Sequence, residues 1–445
     1  MSNTGQTLPA AIGQRQTLAQ WLEYIEGLHP RHIAMGLDRV NIVRDALRIT
    51  PAFPVITVGG TNGKGSACAM LEAMLSEAGY KVGCYTSPHL LRYNERARIG
   101  RREASDADLL RAFDEVERAR GATALTYFEF GTLAAVWLFA RERVDAAILE
   151  VGLGGRLDAV NCFDPACALV TSVDLDHMEY LGPTREHIAF EKAGIFRAGR
   201  PAICGAVPAP QSLIRHAQDI GARLLLRERD FGFVGDRNQW RYWGPFGKRE
   251  GLPHPALRGG IQLANASACL TALGAMRERL PVSMGDVRAG LLQAEIPGRF
   301  QVLPGRPIVI LDVAHNPHAA KALADNLGQM GSRQRTIAVF SMLRDKDIGG
   351  VIDAVKAHVD HWCVAAADSP RGAPAEVIER HLREAGASCS MTRCDDIGAA
   401  YATACEMATE DDKILVFGSF YTVAAVMRAR PARGDQAGSR GNATG

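Results

Sequence analysis

Val55-Ile56-Thr57-Val58-Gly59-Gly60-Thr61-Asn62-Gly63-Lys64-Gly65-Ser66 carries the reading on which the rest of the chain depends. A β-branched run, which reads as a buried strand, breaks into a glycine-rich turn. A helix follows, with Ala67, Met70, Leu71, Met74, Leu75 and Ala78 at helical spacing. Glycines let the backbone curl so that several N–H groups face one point, and the helix N-terminus adds partial positive charge there. Lys64 supplies a full positive charge, and Ser66 a hydroxyl that can reach Mg²⁺. The stretch is a phosphate cradle for a nucleoside triphosphate. It departs from the common GxxxxGK[ST] spacing, because Gly65 separates Lys64 from Ser66 and position 58 is Val.

Outward from the cradle, strand and helix signals alternate. Upstream, an amphipathic helix over 17–29 has Thr17 as its N-cap and Leu18, Trp21, Leu22 and Ile25 on one face. A loop through 32–39 enters a second helix that ends near Ile49. Downstream, a short strand at 81–86 ends at Ser87-Pro88-His89, and an arginine-rich loop at 92–98 leads to another short strand. A helix at 106–120 precedes Thr126-Tyr127-Phe128-Glu129-Phe130-Gly131, with an apolar helix expected from Thr132 to Glu142. Strands at 145–150 and 167–173 and a helix capped by Thr184 complete a doubly wound parallel sheet. The aromatic, glycine-rich stretch 227–255 reads as a small antiparallel excursion, and a helix at 263–280 follows. Ile296-Pro297-Gly298-Arg299-Phe300 reads as an interdomain connection. Strands at 308–313, 336–340, 362–366 and 414–417 then build a second, Rossmann-like α/β domain. The expected division is a flexible 1–16, a nucleotide domain at 17–296, a second domain at 297–430 and a disordered tail at 431–445.

The chain has 445 residues, 47% of them hydrophobic and 22% charged, with a net charge of +2. That composition suits a soluble globular protein of two or three domains, and the charge balance suggests no nucleic-acid or acidic-membrane partner. No apolar run approaches the ~20 residues that span a bilayer. Residues 1–16 lack the form of a secretion signal, so a cytoplasmic protein is expected. The ten cysteines are scattered without metal-ligand spacing, which points to reduced thiols rather than a zinc site.

Candidate residues for chemistry stand at strand ends. Glu150 ends an apolar strand in the sheet of the cradle, where such folds place a Mg²⁺ ligand; the other reading pairs it with Arg156. Mg²⁺ prefers oxygen, so on chemistry alone Asp174 or Asp176 are better ligands than His177. Lys192, beside Glu191, reads as a lysine on a solvated helix face. Asp312-Val313-Ala314-His315-Asn316-Pro317 places a carboxylate and an imidazole where open α/β sheets bind ligands, or marks a turn set by Asn-Pro. Arg299 either neutralises a local carboxylate or meets a phosphate.

In chain order, the cradle, Ser87-Pro88-His89, Glu150-Val151-Gly152-Leu153-Gly154-Gly155-Arg156-Leu157-Asp158, Asp176-His177, Glu191-Lys192-Ala193-Gly194, Pro297-Gly298-Arg299-Phe300, Asp312 to Pro317 and Gly418-Ser419-Phe420 resemble the folylpolyglutamate synthase family of Mur-type amide ligases. The resemblance runs from about Leu18 to Met427, and the segments 32–40 and 126–131 are most similar to the bacterial bifunctional branch of that family. Val160 departs from the pattern, which usually has threonine there. The resemblance implies a P-loop domain of the Mur ligase central type followed by a Rossmann-like ligase domain. It implies Mg²⁺ held by Ser87, Glu150 and His177, and a carbamylated Lys192 holding a second Mg²⁺, with K⁺ or another monovalent cation as a further expectation. ATP would meet Thr61, Asn62, Gly63, Lys64, Gly65, Ser66, Asn265, Arg299 and Asp312. Dihydropteroate would lie against His32, Ile33, Ala34, Met35, Thr126, Tyr127, Phe128, Glu129, Leu157, Asp158 and Ala159. His315 and Ser419 would face L-glutamate or the transferred phosphate, and Lys64, Lys192 and His315 would carry the catalysis.

The reaction so implied joins L-glutamate to dihydropteroate and to the glutamate of tetrahydrofolates. A carboxylate does not react with an amine at neutral pH until it is phosphorylated, so the protein's task is positioning and charge neutralisation. Closure about the segment 297–300 would bring the two domains' ligands together. Rival expectations are a pure folylpolyglutamate synthase, a peptidoglycan-precursor ligase and a nucleotide switch. The stretch before Val55 is short for the UDP-binding domain of the second, and a switch has no need of the edge at Asp312. Small molecules are the only expected partners, and a monomer is the expected state.

Overall fold

The computed structural model describes residues 15–31, 33–236, 238–330, 335–387 and 390–430. The expectations for most of 1–16, for His32 and for 431–445 fall outside these residues. The chain divides into two compact units, Met1–Ile296 and Pro297–Gly445.

The first unit is built on eight strands: β1 (Val55–Gly59), β2 (Val82–Tyr85), β3 (Ala97–Ile99), β4 (Arg102–Glu103), β5 (Ala146–Glu150), β6 (Cys167–Val170), β7 (Pro201–Cys204) and β8 (Arg223–Leu226). They lie in the order β4-β3-β2-β5-β1-β6-β7-β8. All neighbours are parallel except β3, which is antiparallel to β2 and β4. β1 is buried throughout, as expected of an unbroken apolar strand with both faces covered. Its register sets Val58 opposite Glu150 and Gly59 opposite Val170, so the loops leaving β1, β5 and β6 share one edge.

Helices cover both faces. Leu18–Gly27, Asp38–Ala46, Asp106–Arg120 and Tyr127–Arg141 lie on one side, where Trp21, Val43, Phe113 and Phe130 join one cluster. The phosphate-loop helix Lys64–Glu77, with Gly260–Ala275 and Met284–Gln293, packs on the other side through Met70, Leu71, Leu270 and Leu291. The antiparallel excursion forms as β9 (Gly232–Gly235), β10 (Trp240–Gly244) and β11 (Gly247–Leu252).

Three boundaries differ from the sequence reading. The helix expected from Thr132 begins at Tyr127, because Thr126 and Glu129 form a capping box. Gly131 sits inside this helix; a Cβ there would run into the Tyr93 hydroxyl, so the site favours glycine for space. The strand expected at 167–173 stops at Val170, because the side chains of Thr171 and Ser172 turn to bond the phosphate loop. The helix expected at 263–280 is Gly260–Ala275, which places Asn265 in its second turn rather than at its start.

The second unit has a six-stranded sheet from β12 (Gln301–Leu303), β13 (Ile308–Leu311), β14 (Thr336–Phe340), β15 (His361–Val364), β16 (Ser390–Arg393) and β17 (Lys413–Phe417). Its order is β12-β13-β17-β14-β15-β16, with only β12 antiparallel. Phe340, Trp362 and Phe417 form an aromatic centre, with Phe340 4.7 Å from Phe417 and 5.3 Å from Trp362. Among the described residues no helix is long and apolar enough to cross a membrane, and the described cysteines are free thiols.

Candidate active site

The phosphate loop is held from the side by the chain after β6. Thr171 Oγ1 donates to Asn62 O at 2.7 Å and Ser172 Oγ to the same oxygen at 3.0 Å, while Thr61 N–H donates to Ser172 O at 2.8 Å. The Thr61 hydroxyl accepts from Asp174 N–H at 3.0 Å. Gly63 is the N-cap of the phosphate-loop helix at φ +86°, a left-handed conformation that glycine adopts without steric cost. A Cβ on Gly63 would lie 2.7 Å from Asn265 Oδ1, so Asn265 borders the loop although it arrives from a distant helix. Gln262, which the sequence did not single out, donates to Ser66 Oγ at 3.4 Å and accepts from Asn265 at 3.1 Å. Its only sequence signal is its place one turn before Asn265.

Glu150 ends β5 and is buried, and the Ser87 N–H donates to its Oε2 at 3.1 Å. Its Oε1 would lie 3.9 Å from a Cβ on Gly65, so the carboxylate lies close to the helix N-terminus. Arg156, the alternative partner weighed for Glu150, pairs instead with Glu191 at 2.8 Å. Lys64 Nζ folds back on its own loop, 3.1 Å from Gly60 O, and Lys192 Nζ reaches the same oxygen at 3.0 Å. Lys192 is only 4% exposed, which overturns the solvated-helix reading. Burial, helped by the charge of Lys64, pulls its amine down to about 7, against the opposing pull of Asp176 and Asp158. An amine that sheds its proton near neutral pH can react with CO₂, as carbamylation requires.

His177, in the left-handed region at φ +50°, is the N-cap of the short helix Met178–Leu181, with its Nε2 3.9 Å from Asp176 Oδ1. The described residues contain no group of three or more His, Cys, Asp or Glu placed to hold a metal. The expected set has only two such residues, the other donors being the Ser87 hydroxyl and a carbamate on Lys192. The hard oxygen donors of Glu150, Ser66 and Ser87, beside a positively polarised helix end, fit a magnesium–phosphate ligand.

The segments expected to meet the acceptor converge on this edge. Gly36 N–H donates to Leu157 O at 3.3 Å, and Met35 Cε would lie 3.6 Å from a Cβ on Gly154. Phe128 packs its ring on Gly152, 2.8 Å from where a Cβ would be, and 5.8 Å from the ring of Tyr85. Arg39, missed in the sequence, ties two of the segments: its Nη2 donates to Ala34 O and to Glu129 Oε1, each at 2.8 Å. Glu129 Oε2 also accepts from Thr126 N–H at 2.8 Å. Glu129 is thus already engaged as a brace between these segments.

Asp158 is buried and accepts from Leu153 N–H at 2.8 Å and from Val160 N–H at 3.1 Å. Burial nevertheless pushes its carboxyl up to about 7, against those amides and the charge of Lys64. Ala159 and Val160 lie in a buried 3₁₀ turn, so the departure at Val160 falls in the apolar core. Tyr127 stacks edge-on against Tyr93 at 5.8 Å, and burial raises its hydroxyl to about 12.

In the second unit, the ends of β13 and β17 gather Arg299, Asp312, His315 and the helix Phe420–Ala429. Arg299 lies over the Phe420 ring at 5.1 Å, and the His315 ring is 6.3 Å from the same phenyl. Asp312 accepts from Phe300 N–H and Ala314 N–H, both at 2.8 Å; burial raises its carboxyl, and Arg299 opposes that rise. His315 Nδ1 is 2.9 Å from Val313 O. Asn316 caps the helix Pro317–Gln329, so the Asn-Pro signal is a helix start. Ser419, 2% exposed, caps Phe420–Ala429 by accepting from Thr422 N–H at 3.0 Å.

Comparison with known proteins places this geometry. The Mur ligase middle domain matches residues 58–225, and the Mur ligase glutamate ligase domain matches residues 298–420. The dihydrofolate synthase/folylpolyglutamate synthase of Escherichia coli is 45% identical over 417 residues, covering 94% of this chain and 96% of that protein. A solved structure of E. coli FolC in complex with DHPP and ADP superposes with a TM-score of 0.89 at 45% identity, covering 93% of this chain and 97% of that one. A bifunctional folylpolyglutamate synthase/dihydrofolate synthase with Mn, AMPPNP and L-glutamate bound gives a TM-score of 0.86 at 44% identity, covering 93% and 98%. Likeness of this extent, on a chain that brings the phosphate cradle and the segments expected to meet the acceptor to one sheet edge, means that the protein belongs to the dihydrofolate synthase/folylpolyglutamate synthase family of Mur ligases.

Proposed function

We propose that the chain is an ATP-dependent amide ligase that joins L-glutamate to dihydropteroate and to the terminal glutamate of tetrahydrofolates through an acyl phosphate. The observation that carries this is the shared edge: the loop 152–158, which accepts Gly36 N–H at Leu157 O, also packs on the helix bearing Lys192, where Arg156 N–H donates to Glu191 O at 2.8 Å. A nucleotide switch has no use for an acceptor wall abutting its phosphate loop.

The acceptor carboxylate attacks the γ-phosphorus of ATP, releasing ADP. The amine of L-glutamate then adds to the acyl carbon, and phosphate leaves as the amide forms. No protein nucleophile is required. The amides of residues 63–65 and the Lys64 ammonium hold phosphate oxygens, and Arg299 and Asp312 are the further nucleotide contacts that the family resemblance implies. Glu150, Ser66, Ser87 and His177 would hold Mg²⁺, with a second ion on carbamylated Lys192. Bound Mg²⁺ neutralises phosphate charge and polarises the γ-phosphoryl group. Ile33, Met35, Phe128, Leu157 and Asp158 orient the pterin, while Glu129 and Thr126 shape the wall. His315 faces the glutamate or the transferred phosphate, and Ser419 acts through the helix it caps. The same reading takes the chain as a cytoplasmic monomer with small-molecule partners.

The test is ATP- and Mg²⁺-dependent phosphate release with L-glutamate, comparing dihydropteroate and tetrahydrofolate as acceptors. Turnover with both supports the bifunctional assignment, and turnover with tetrahydrofolate alone makes the enzyme a polyglutamylating one. Silence with both, from folded protein that binds ATP, refutes the folate assignment.

A further inference from the structure

Four arginines of the acceptor side are held in ion pairs. Arg39 pairs with Glu129, Arg98 with Glu72, Arg120 with Glu117, and Arg92 with Glu103. Arg96 forms no ion pair among the described residues. Its guanidinium lies over the ring of Tyr127 at 5.3 Å and over that of Tyr93 at 5.5 Å, and its Nε donates to His89 Nδ1 at 2.8 Å. Two aromatic faces thus hold the guanidinium, and His89 takes one of its donors. The outer pair of N–H groups keeps the fork geometry that suits a carboxylate. His89 accepts at Nδ1 and so fixes the direction of the guanidinium. His89 belongs to the Ser87-Pro88-His89 signature, which the proposed chemistry uses only at Ser87.

We infer that Arg96, oriented by His89 and Tyr127, binds a non-reacting carboxylate of the acceptor, the α-carboxylate of its terminal glutamate, and so selects glutamylated acceptors. This rests on the ligase reading above. Arg96 O accepts from Thr86 N–H at 2.9 Å, so the residue stands one position from Ser87 across the β2–β3 pair. From β3 to β1 there are three strand spacings, β3-β2-β5-β1, or about 14 Å at the usual spacing. That span separates main chains; the Arg96 guanidinium meets His89, two residues from Ser87, and so reaches back toward the cradle, where it can seat the carboxylate a few bonds from the reacting one on the same glutamate. Dihydropteroate has a single carboxylate, which must react. A folate glutamate has two, and the spare one needs a cation.

The experiment compares steady-state turnover of the full-length protein and its Arg96→Gln and Arg96→Lys variants, with ATP, Mg²⁺ and L-glutamate, on each acceptor. The expected result for Arg96→Gln is a KM for tetrahydrofolate raised about 10- to 100-fold, the loss of a charge-assisted contact. The KM values for dihydropteroate and ATP stay within about twofold. Arg96→Lys, which keeps charge but not the fork, falls between. An equal rise in KM for both acceptors overturns the inference and makes Arg96 a brace of the wall. An unchanged KM for tetrahydrofolate overturns it too. If Arg96→Gln lowers the thermal unfolding midpoint sharply, the Lys variant carries the same acceptor comparison. Silence of the unmodified protein with both acceptors removes the ligase reading and this inference with it.

Discussion

Replacing Glu129 by glutamine separates a brace from a ligand. The Glu129 side chain is 4% exposed and that of Arg39 29%, and the pair closes at 2.8 Å. Removing one partner of a buried pair costs about 3–5 kcal/mol, because the other charge stays buried without compensation. Arg39 is partly solvated, and water takes back part of that cost. Glutamine also keeps an acceptor for Thr126 N–H, so most of the capping box survives. The expected loss is therefore about 2 kcal/mol. Urea unfolding followed by tryptophan emission measures it in the right layer, since Trp21 is buried 6.2 Å from the ring of Phe130 on the same helix as Glu129. The Arg39→Gln variant should lose a similar amount, and the double variant little more, giving a coupling of about 1–2 kcal/mol. The acceptor KM should rise with either single variant, because Arg39 also holds Ala34 O. A stability change under about 0.5 kcal/mol for Glu129→Gln, with a raised acceptor KM and no effect of Arg39→Gln, would refute this reasoning and make Glu129 a direct acceptor ligand.

Gly63→Ala should raise the KM for ATP about tenfold or more, since alanine at φ +86° costs about 1–2 kcal/mol and its Cβ would displace Asn265; an unchanged KM would show that the loop relaxes freely. For Asp158, the folded carboxyl titrates at about 7, above the unfolded value of about 3.9. Its contribution is therefore complete below the unfolded value and lost as pH rises through 7. The urea midpoint of the unliganded protein should fall between about pH 4 and pH 7, and Asp158→Asn should flatten that fall; parallel profiles for the two proteins would count against the assigned shift. Lys192→Met should abolish phosphate release and also the carbamate carbonyl resonance that isotopically labelled bicarbonate is expected to produce in the unmodified protein. A carbamate signal that persists in Lys192→Met would place the modification elsewhere.

How much was legible in the sequence follows from the range of the interactions. The cradle was readable because its chemistry is local: glycines, a lysine and a serine within one turn dictate a strand, a loop and a helix start. The alternation of apolar runs likewise announced two α/β layers, since strands buried on both faces must be apolar throughout. Thr17, Thr126 and Ser419 cap helices with side chains only a few residues from their partners. Thr126 was nevertheless passed over as a helix start: the helix was expected from Thr132, whereas the capping box of Thr126 and Glu129 starts it at Tyr127.

What only the tertiary structure decided are the meetings of residues far apart in the chain. Lys192 looked like a surface lysine because its neighbour is Glu191, yet the sheet edge buries its amine against Gly60 O and lowers its proton affinity. Arg39 and Glu129 lie ninety positions apart, and Gln262 approaches Ser66 from a helix nearly two hundred residues away. Local composition by itself determined the elements and the phosphate chemistry. Burial and long-range hydrogen bonds decided which charges are braces, which are left to meet a ligand, and where each carboxyl and amine titrates, because solvation depends on the whole surrounding fold and not on sequence neighbours.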